Sequence, residues 1–565
     1  MPDVRFDRYY RYDALTDLLR AYESENPGKV RLESIGKSHE GRDIWLVTVT
    51  DLSTGSPEDK PGFWCDGNIH ASEVSASTAV LMILHKLTTE DHGRLLAERA
   101  FYLVPRLNPD GAEWALADVP RIIRSSTRPY PYDEDDLYGL ERRDVDGDGR
   151  ILSIRIPDEN GPWKVADEDS RLLKLREPGE TGGACFRVIP EGLLHHYDGV
   201  SIKPRRVKEG LDFNRNFPSA WRLEHEQHGA GPYPTSEPEI RAAVQAIVNR
   251  PNICGAITFH TFSGVLLRPP SRMPDDDIPP EDLWTYQSLG ETGQKMTGYP
   301  PVSNYHEFKY HPKEVITGVF DDWMYEHRGV HAWTVEIWSP QRQAGISDYK
   351  YIDWFRSHPF EDDLKLLKWS DENLDGAGYV EWYPFDHPQL GRVEIGGWDP
   401  QLMFRNPPPK FLEKEVAPLA DWALWHASTG PRLTVRELRT EPVGEHVRLR
   451  LVVQNSGWLP TNVTKLAADK KLCRGVVGEI ERLADGKPLP FEPLAGTPPW
   501  LVSGQLREEK GQLVGWSHTP VSGFGWHMDA TDDVAVFEWV VGRGATYRLT
   551  ARHERAGAIH VEASV

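Results

Sequence analysis

The sequence predicts a mixed α/β domain over residues 1–430 followed by an all-β domain over residues 431–565, and three observations predict it. Strand-like and helix-like segments alternate with short turns through the first part. Helical periodicity stops near Thr429-Gly430-Pro431, after which short alternating polar and apolar runs are separated by Gly- and Pro-rich turns. The chain's 565 residues are enough to bury more than one core.

In chain order, Tyr12–Glu25 has amphipathic helical spacing and residues 44–49 form a strand. Gly62-Phe63-Trp64-Cys65-Asp66 reads as a short buried strand ending in turn residues, and Val80, Leu81, Ile83, Leu84 and Leu87 mark the helix after it. Residues 101–105, 256–259 and 332–336 are further buried strands. Pro238–Val248 is a helix, as is 411–425, with Leu412, Val416, Leu419 and Ala423 on one side. Beyond residue 430 the segments 446–453, 534–541, 546–551 and 558–562 alternate in the manner of an immunoglobulin-like β-sandwich.

Composition narrows the function. A formal charge of −21 argues against nucleic-acid binding, which needs a basic face to displace phosphate counterions. No apolar run approaches membrane-spanning length, and Met1–Asp7 has no apolar leader. Cys65, Cys185, Cys254 and Cys473 are far apart with no Cys-x-x-Cys pair, which points to a reducing compartment. A cytoplasmic location is expected, or a secreted one if a leader precedes this sequence. The 20 tryptophans are read as core and pocket lining.

Several short motifs carry chemistry. His70 and Glu73, in Gly67-Asn68-Ile69-His70-Ala71-Ser72-Glu73, are spaced to bind one metal ion from the same face of a turn. His260 ends a buried strand, where a distant third ligand would be presented. Asp212, Asn214 and Arg215 lie within four residues, and an Arg flanked by Asn residues suits bidentate capture of a carboxylate. Asn108-Pro109-Asp110-Gly111 makes a tight turn. Ser236 and Glu239 have the spacing of a capping box at a helix start. Glu336 ends a strand with its carboxylate directed into a pocket.

Together, in this order, these motifs resemble the M14 family of zinc carboxypeptidases over roughly residues 8 to 425, with the block 34–44 resembling the family's first hairpin. The resemblance implies a mixed sheet with helices on both faces. It implies one zinc ion held by His70, Glu73 and His260 with a fourth position open to water. Asp212 corresponds to the carboxylate that fixes the first His, and Glu336 to the general base. By counting, Arg124 corresponds to the arginine that holds the oxyanion, with Arg121 as the alternative. Asn214 and Arg215 match the pair that grips a terminal carboxylate, so the implied substrate is a peptide with a free C-terminus.

Two departures are visible. The family's mobile Tyr falls by ungapped counting on Glu314, and Tyr310 is the nearest aromatic hydroxyl. Asp321, just before Asp322-Trp323, resembles members that remove C-terminal Lys or Arg. It suggests a basic or diaminopimelate-like terminal residue, unless it pairs with Arg328. The second departure is an insertion over residues 125–209, expected to border the cleft and restrict access. Within it Asp144, Asp146 and Asp148, followed by Gly149 and Arg150, suit a calcium loop, although Arg155 occupies the twelfth position. Asp158 or Glu159 is then expected to close the site. Two other functions fit less well: an N-acyl-amino-acid amidohydrolase of aspartoacylase type, and an inert domain carrying a glycan- or protein-binding sandwich.

Overall fold

A computed structural model describes residues 2–132, 136–311, 313–488, 498–518 and 529–565. Its centre is an eight-stranded mixed sheet in the order Val30–Lys37, Asp43–Val49, Ala100–Val104, Gly62–Gly67, Ile253–Thr261, His331–Ile337, Val265–Arg268, Pro301–Ser303. Four adjacent strands, from Ala100–Val104 to His331–Ile337, are mutually parallel. Such strands are buried on both faces, which is why they read as continuous apolar runs.

Alternate side chains on these strands feed two cores. Phe63, Cys65, Ile257, Phe259, Trp333 and Val335 face the helices Ser75–Thr89, Pro280–Thr297 and Pro409–Ser428. Trp64, Tyr102, Ala256 and Ala332 face the helices Pro238–Val248 and Phe320–Arg328, where Ile240, Ile247, Trp323 and Met324 meet them. Helices therefore cover both faces. Gly62–Gly67 has Ala100–Val104 on one side and Ile253–Thr261 on the other, so the strand order reverses at the carboxyl end of Gly62–Gly67. Open α/β sheets gather their ligands at that kind of edge.

The insertion does not stand alone. Ser153–Pro157, Trp163–Val165, Leu173–Leu175 and Cys185–Pro190 join the hairpin Tyr379–His387 and Gly391–Trp398 in one six-stranded antiparallel sheet. Beyond Leu433 two antiparallel sheets enclose Leu449, Leu451, Ile480, Phe537, Trp539 and Leu549 as a sandwich core. A short helix, Lys465–Asp469, interrupts a region whose sequence shows no helical period.

Candidate active site

The strand Gly62–Gly67 ends in a turn that Asn68 shapes. Asn68 has φ of +60°, and its side-chain amide donates to the carbonyls of His70 and Ala71 at 2.7 and 3.2 Å. Asn tolerates the left-handed region better than most residues. Gly67 lets the following helix approach, since a Cβ there would meet the Ala76 carbonyl oxygen at 2.5 Å. His70 and Glu73 therefore project from a fixed turn, one strand over from His260.

The three side chains converge, all buried. His70 Nδ1 lies 3.0 Å from Glu73 Oε1, His260 Nδ1 lies 3.2 Å from Glu73 Oε2, and the two Nδ1 atoms are 3.1 Å apart. On its other side His70 Nε2 sits 3.1 Å from Asp212 Oδ1, which also accepts from the Asn214 amide at 2.9 Å. Asp212 Oδ2 accepts from Arg124 Nε at 2.8 Å. Arg124 Nη1 is 3.5 Å and Arg405 Nη1 3.4 Å from Glu73 Oε1. Arg121 is elsewhere, against Glu209 and the Trp114 ring. Behind His260, Asp66 accepts hydrogen bonds of 2.6 Å from Thr258 Oγ1 and Trp64 Nε1.

Electrostatics follow from this geometry. Burial pushes the His260 ring down to about 4, favouring the neutral, lone-pair form. Burial would raise Glu73, but His70 and His260 outweigh it and hold the carboxylate low. Asp212 is likewise held well below the usual range, with Arg124, Arg215 and His70 overcoming its burial. Glu336 goes the other way. Desolvation, then the like charge of Glu73, push its carboxyl well above the ordinary value. Glu336 pairs in register with His260, and its Oε2 is buried with no hydrogen-bond partner among the described residues.

A cleft of about 770 Å³ is lined by His70, Glu73, Arg124, Asp212, Arg215, Tyr310 and Arg405 among others. Arg215 Nη1 donates to the Asn214 carbonyl at 2.7 Å, and Asn214 Oδ1 accepts from the Phe320 amide at 2.9 Å. Tyr310 is 40% exposed on the cleft wall, and Glu314 lines the same space.

A family model described as zinc carboxypeptidase, peptidase M14, matches residues 15–354. The chain belongs to the M14 zinc carboxypeptidase family. Members are peptide hydrolases that use zinc. Carboxypeptidase B of Astacus astacus is 24% identical over 336 residues, spanning 58% of this chain and 86% of that protein. The carboxypeptidase N catalytic chain of Homo sapiens is 31% identical over 119 residues, which is 20% of this chain and 26% of that one. Among solved structures, thrombin activatable fibrinolysis inhibitor shares 16% identity with a TM-score of 0.42, over 75% of this chain and 74% of its own. Residues 432–564 match a separate domain family of unknown function.

The residues fit the family's metal. One ligand atom from each of His70, Glu73 and His260 lies within 4.8 Å of the others, and two imidazoles with one carboxylate form a recognised zinc donor set. Two imidazole nitrogens and the two Glu73 oxygens face one another at 3.0 to 3.2 Å, and with His70 Nε2 turned to Asp212 its Nδ1 is directed at the centre of the group.

Other expected residues are placed as follows. Asp321 is buried, accepting from Asn304 Nδ2 at 2.8 Å and the Asp322 amide at 3.1 Å. It has no ion pair among the described residues. Arg328 turns to the C-terminal sandwich, its carbonyl accepting from Arg555. In the insertion, Asp144 and Asp146 converge with Glu191 within 4.8 Å, whereas Asp148 pairs with Arg150 at 2.6 Å. Asp158 is not the closing carboxylate, since it pairs with Arg187 at 2.8 Å. The capping box is not made either. Pro238 takes the first helical position, so Glu237 is the N-cap and Glu239 instead accepts from the His39 amide at 2.8 Å. Arg405, Asn68, Asp66 and Glu191 were not singled out from the sequence, because none sits in a motif that names its partner.

Proposed function

We propose that this protein removes single C-terminal amino acids from peptides, with preference for a basic or diaminopimelate-like terminal residue. The observation that carries the reading is the placement of Arg215 on the same cleft as His70 and Glu73, two members of the His70, Glu73 and His260 cluster. Asp321, a buried carboxylate without a cationic partner among the described residues, supports the preference for a positive side chain.

His70 Nδ1, His260 Nδ1 and a Glu73 oxygen would hold the zinc ion, which when bound supplies Lewis acidity that polarises a carbonyl and makes water reactive near neutral pH. Asp212 holds His70 by its far nitrogen, keeping Nδ1 free as a ligand. Arg215 takes the terminal carboxylate through its planar fork, and Asn214 sits beside it. Arg124, steadied by Asp212, stabilises charge that develops on the scissile carbonyl oxygen. Glu336 accepts a proton from the attacking water and delivers it to the leaving amine. Its unpartnered Oε2 can exchange that proton without breaking a contact within the protein. Tyr310, partly exposed on the cleft wall, covers the bound terminal residue.

A chain organised as a catalytic unit over 1–430 and a sandwich over 431–565 is part of this reading, supported by family matches that end at 354 and begin again at 432. So is calcium at the Asp144–Asp146 loop, supported by the approach of Glu191.

Mass-spectrometric profiling of a peptide library with the zinc-loaded enzyme tests the main claim. Loss of one C-terminal Lys or Arg is expected, and Glu336→Gln should cut the rate by about a hundredfold or more. Internal cleavage would sink the exopeptidase reading, and release of acyl groups from N-acetyl-amino acids alone would favour the amidohydrolase.

A further inference from the structure

The catalytic cleft continues into a second cavity of about 770 Å³, and Ser72, Ile122, Arg142 and Arg405 line both spaces. Arg215 lines only the first. A peptide anchored at Arg215 by its last carboxylate, with its scissile bond over the His70–Glu73 turn, therefore leads its upstream residues past Arg405 into the second cavity. That cavity is walled by Phe262, Trp354, Phe355, Trp398, Leu402 and Phe404.

Arg405 stands at the junction. Its guanidinium carbon lies 5.0 Å from the centre of the Phe262 ring, and 31% of its side chain remains exposed. The backbone beneath it is held firmly. Asn406, buried, donates to the Ser72 carbonyl at 2.8 Å and accepts from the Ser75 amide at 3.0 Å, tying this segment to the metal-ligand turn. Asp399 caps the Gln401 and Leu402 amides at 3.0 Å, and Trp338 Nε1 donates to the Met403 carbonyl at 2.9 Å. All of these wall residues except Phe262 and Trp354 lie beyond residue 354, where the family match ends.

We infer that Arg405 and this aromatic cavity form a substrate subsite on the amino-terminal side of the scissile bond, selecting peptides with an apolar or aromatic residue upstream. Arg405 donates to a backbone carbonyl of the peptide, and the neighbouring side chain enters the cavity between the insertion and the 398–409 segment. The inference rests on the carboxypeptidase reading above.

The test uses the full-length, zinc-loaded enzyme and blocked peptides sharing one C-terminal residue. One set has a single residue before it, and the other has three, with Phe, Leu, Gly or Asp at the upstream positions. The Phe peptides are expected to exceed the Gly peptides in kcat/KM by about tenfold or more, mainly through KM. Arg405→Ala should lower kcat/KM for the long peptides by about tenfold more than for the short ones, whatever loss its contact with Glu73 brings to both. Phe355→Ala, 45% exposed at the outer wall, should reduce the preference for Phe while leaving the short peptides unaffected. Calorimetric binding of the same peptides to zinc-loaded Glu336→Gln should rank them in the same order. Equal cleavage and binding of Phe and Gly peptides would overturn the subsite while leaving the carboxypeptidase reading intact. Equal losses on short and long peptides in Arg405→Ala would also overturn it, since Arg405 would then act at the metal cluster. Failure of the wild type to cleave any peptide would overturn both.

Discussion

Glu239 carries a carboxyl that burial, with smaller contributions from Asp110 and Glu237, pushes up to about 8 from an ordinary 4.5. Its Oε1 accepts from the His39 amide, while Oε2 is buried without a partner among the described residues. Between those two pH values the folded protein holds a proton that the unfolded chain releases. Stability contributed by this group therefore falls as pH rises through 4.5 to 8 and levels off above. Glu239→Gln keeps the acceptor and cannot ionise, so denaturant melts should show its advantage over the wild type growing from pH 5 to pH 8. Parallel curves would contradict the assignment. The spacing of Ser236 and Glu239 suggested a cap, but a capping box requires Ser236 at the N-cap, and Pro238 moves the helix start one residue on. The contrast holds across the site. His70, Glu73 and His260 were legible as candidate ligands from residue type and position, and the roles of Asp212 and Glu336 only through the family resemblance that the ordered motifs carry. Arg405 was not, because it meets Glu73 across more than 300 residues of chain and a lone Arg names no partner.

Among the elements, the buried central strands and long helices were legible because apolar runs and 3.6-residue periodicity are local properties. The predicted helices Tyr12–Glu25 and Pro238–Val248 coincide with the observed ones. The insertion's sheet was not readable. Its strands are three to six residues long, and Ser153–Pro157 pairs with a strand more than 200 residues later, placing Ile154 opposite Ile395. Strands that short carry too little pattern to separate from turns. The acidic loop lies beside this sheet, with both Glu191 oxygens accepting backbone amides, from Val145 at 2.6 Å and Leu152 at 2.8 Å. If calcium binds at Asp144 and Asp146, it links the loop to Glu191 and stabilises the insertion. At a hundredfold excess over Kd the gain is about 2.7 kcal/mol. Calcium added to the zinc-loaded protein should raise the melting temperature, and Asp144→Asn should abolish the response. An unchanged melting temperature in calcium would remove the site from the proposal.

Across the whole molecule, the sandwich is joined to the catalytic sheet through buried polar contacts rather than a loose linker. Arg555, 3% exposed, donates to the carbonyls of Gly329 and Asn462 at 2.9 and 2.7 Å and also to that of Arg328. Arg99 donates to the carbonyls of Gly430 and Pro431, both at 2.8 Å. Asp282 receives the amides of Lys465 and Leu466 at 2.6 and 3.0 Å. Leu459 and Val463 enter the same core as Trp323 and Met324. The Arg328–Gly329 turn that Arg555 grips connects the helix bearing Asp321 to the strand bearing Glu336, so the sandwich is tied to the segment between those two elements. Arg555→Ala would leave three carbonyls without that donor in a site closed to water. The expected cost is about 2–4 kcal/mol, on the scale of lost buried hydrogen bonds to a charged group. Because the contacts span both parts, the variant should lower the denaturation midpoint seen by a catalytic-unit probe and by a sandwich probe together. Activity at low denaturant should fall less than stability does, since Arg555 touches no cleft residue directly. Two separate transitions, with only the sandwich shifted, would mean that the contacts join the domains without coupling their folding.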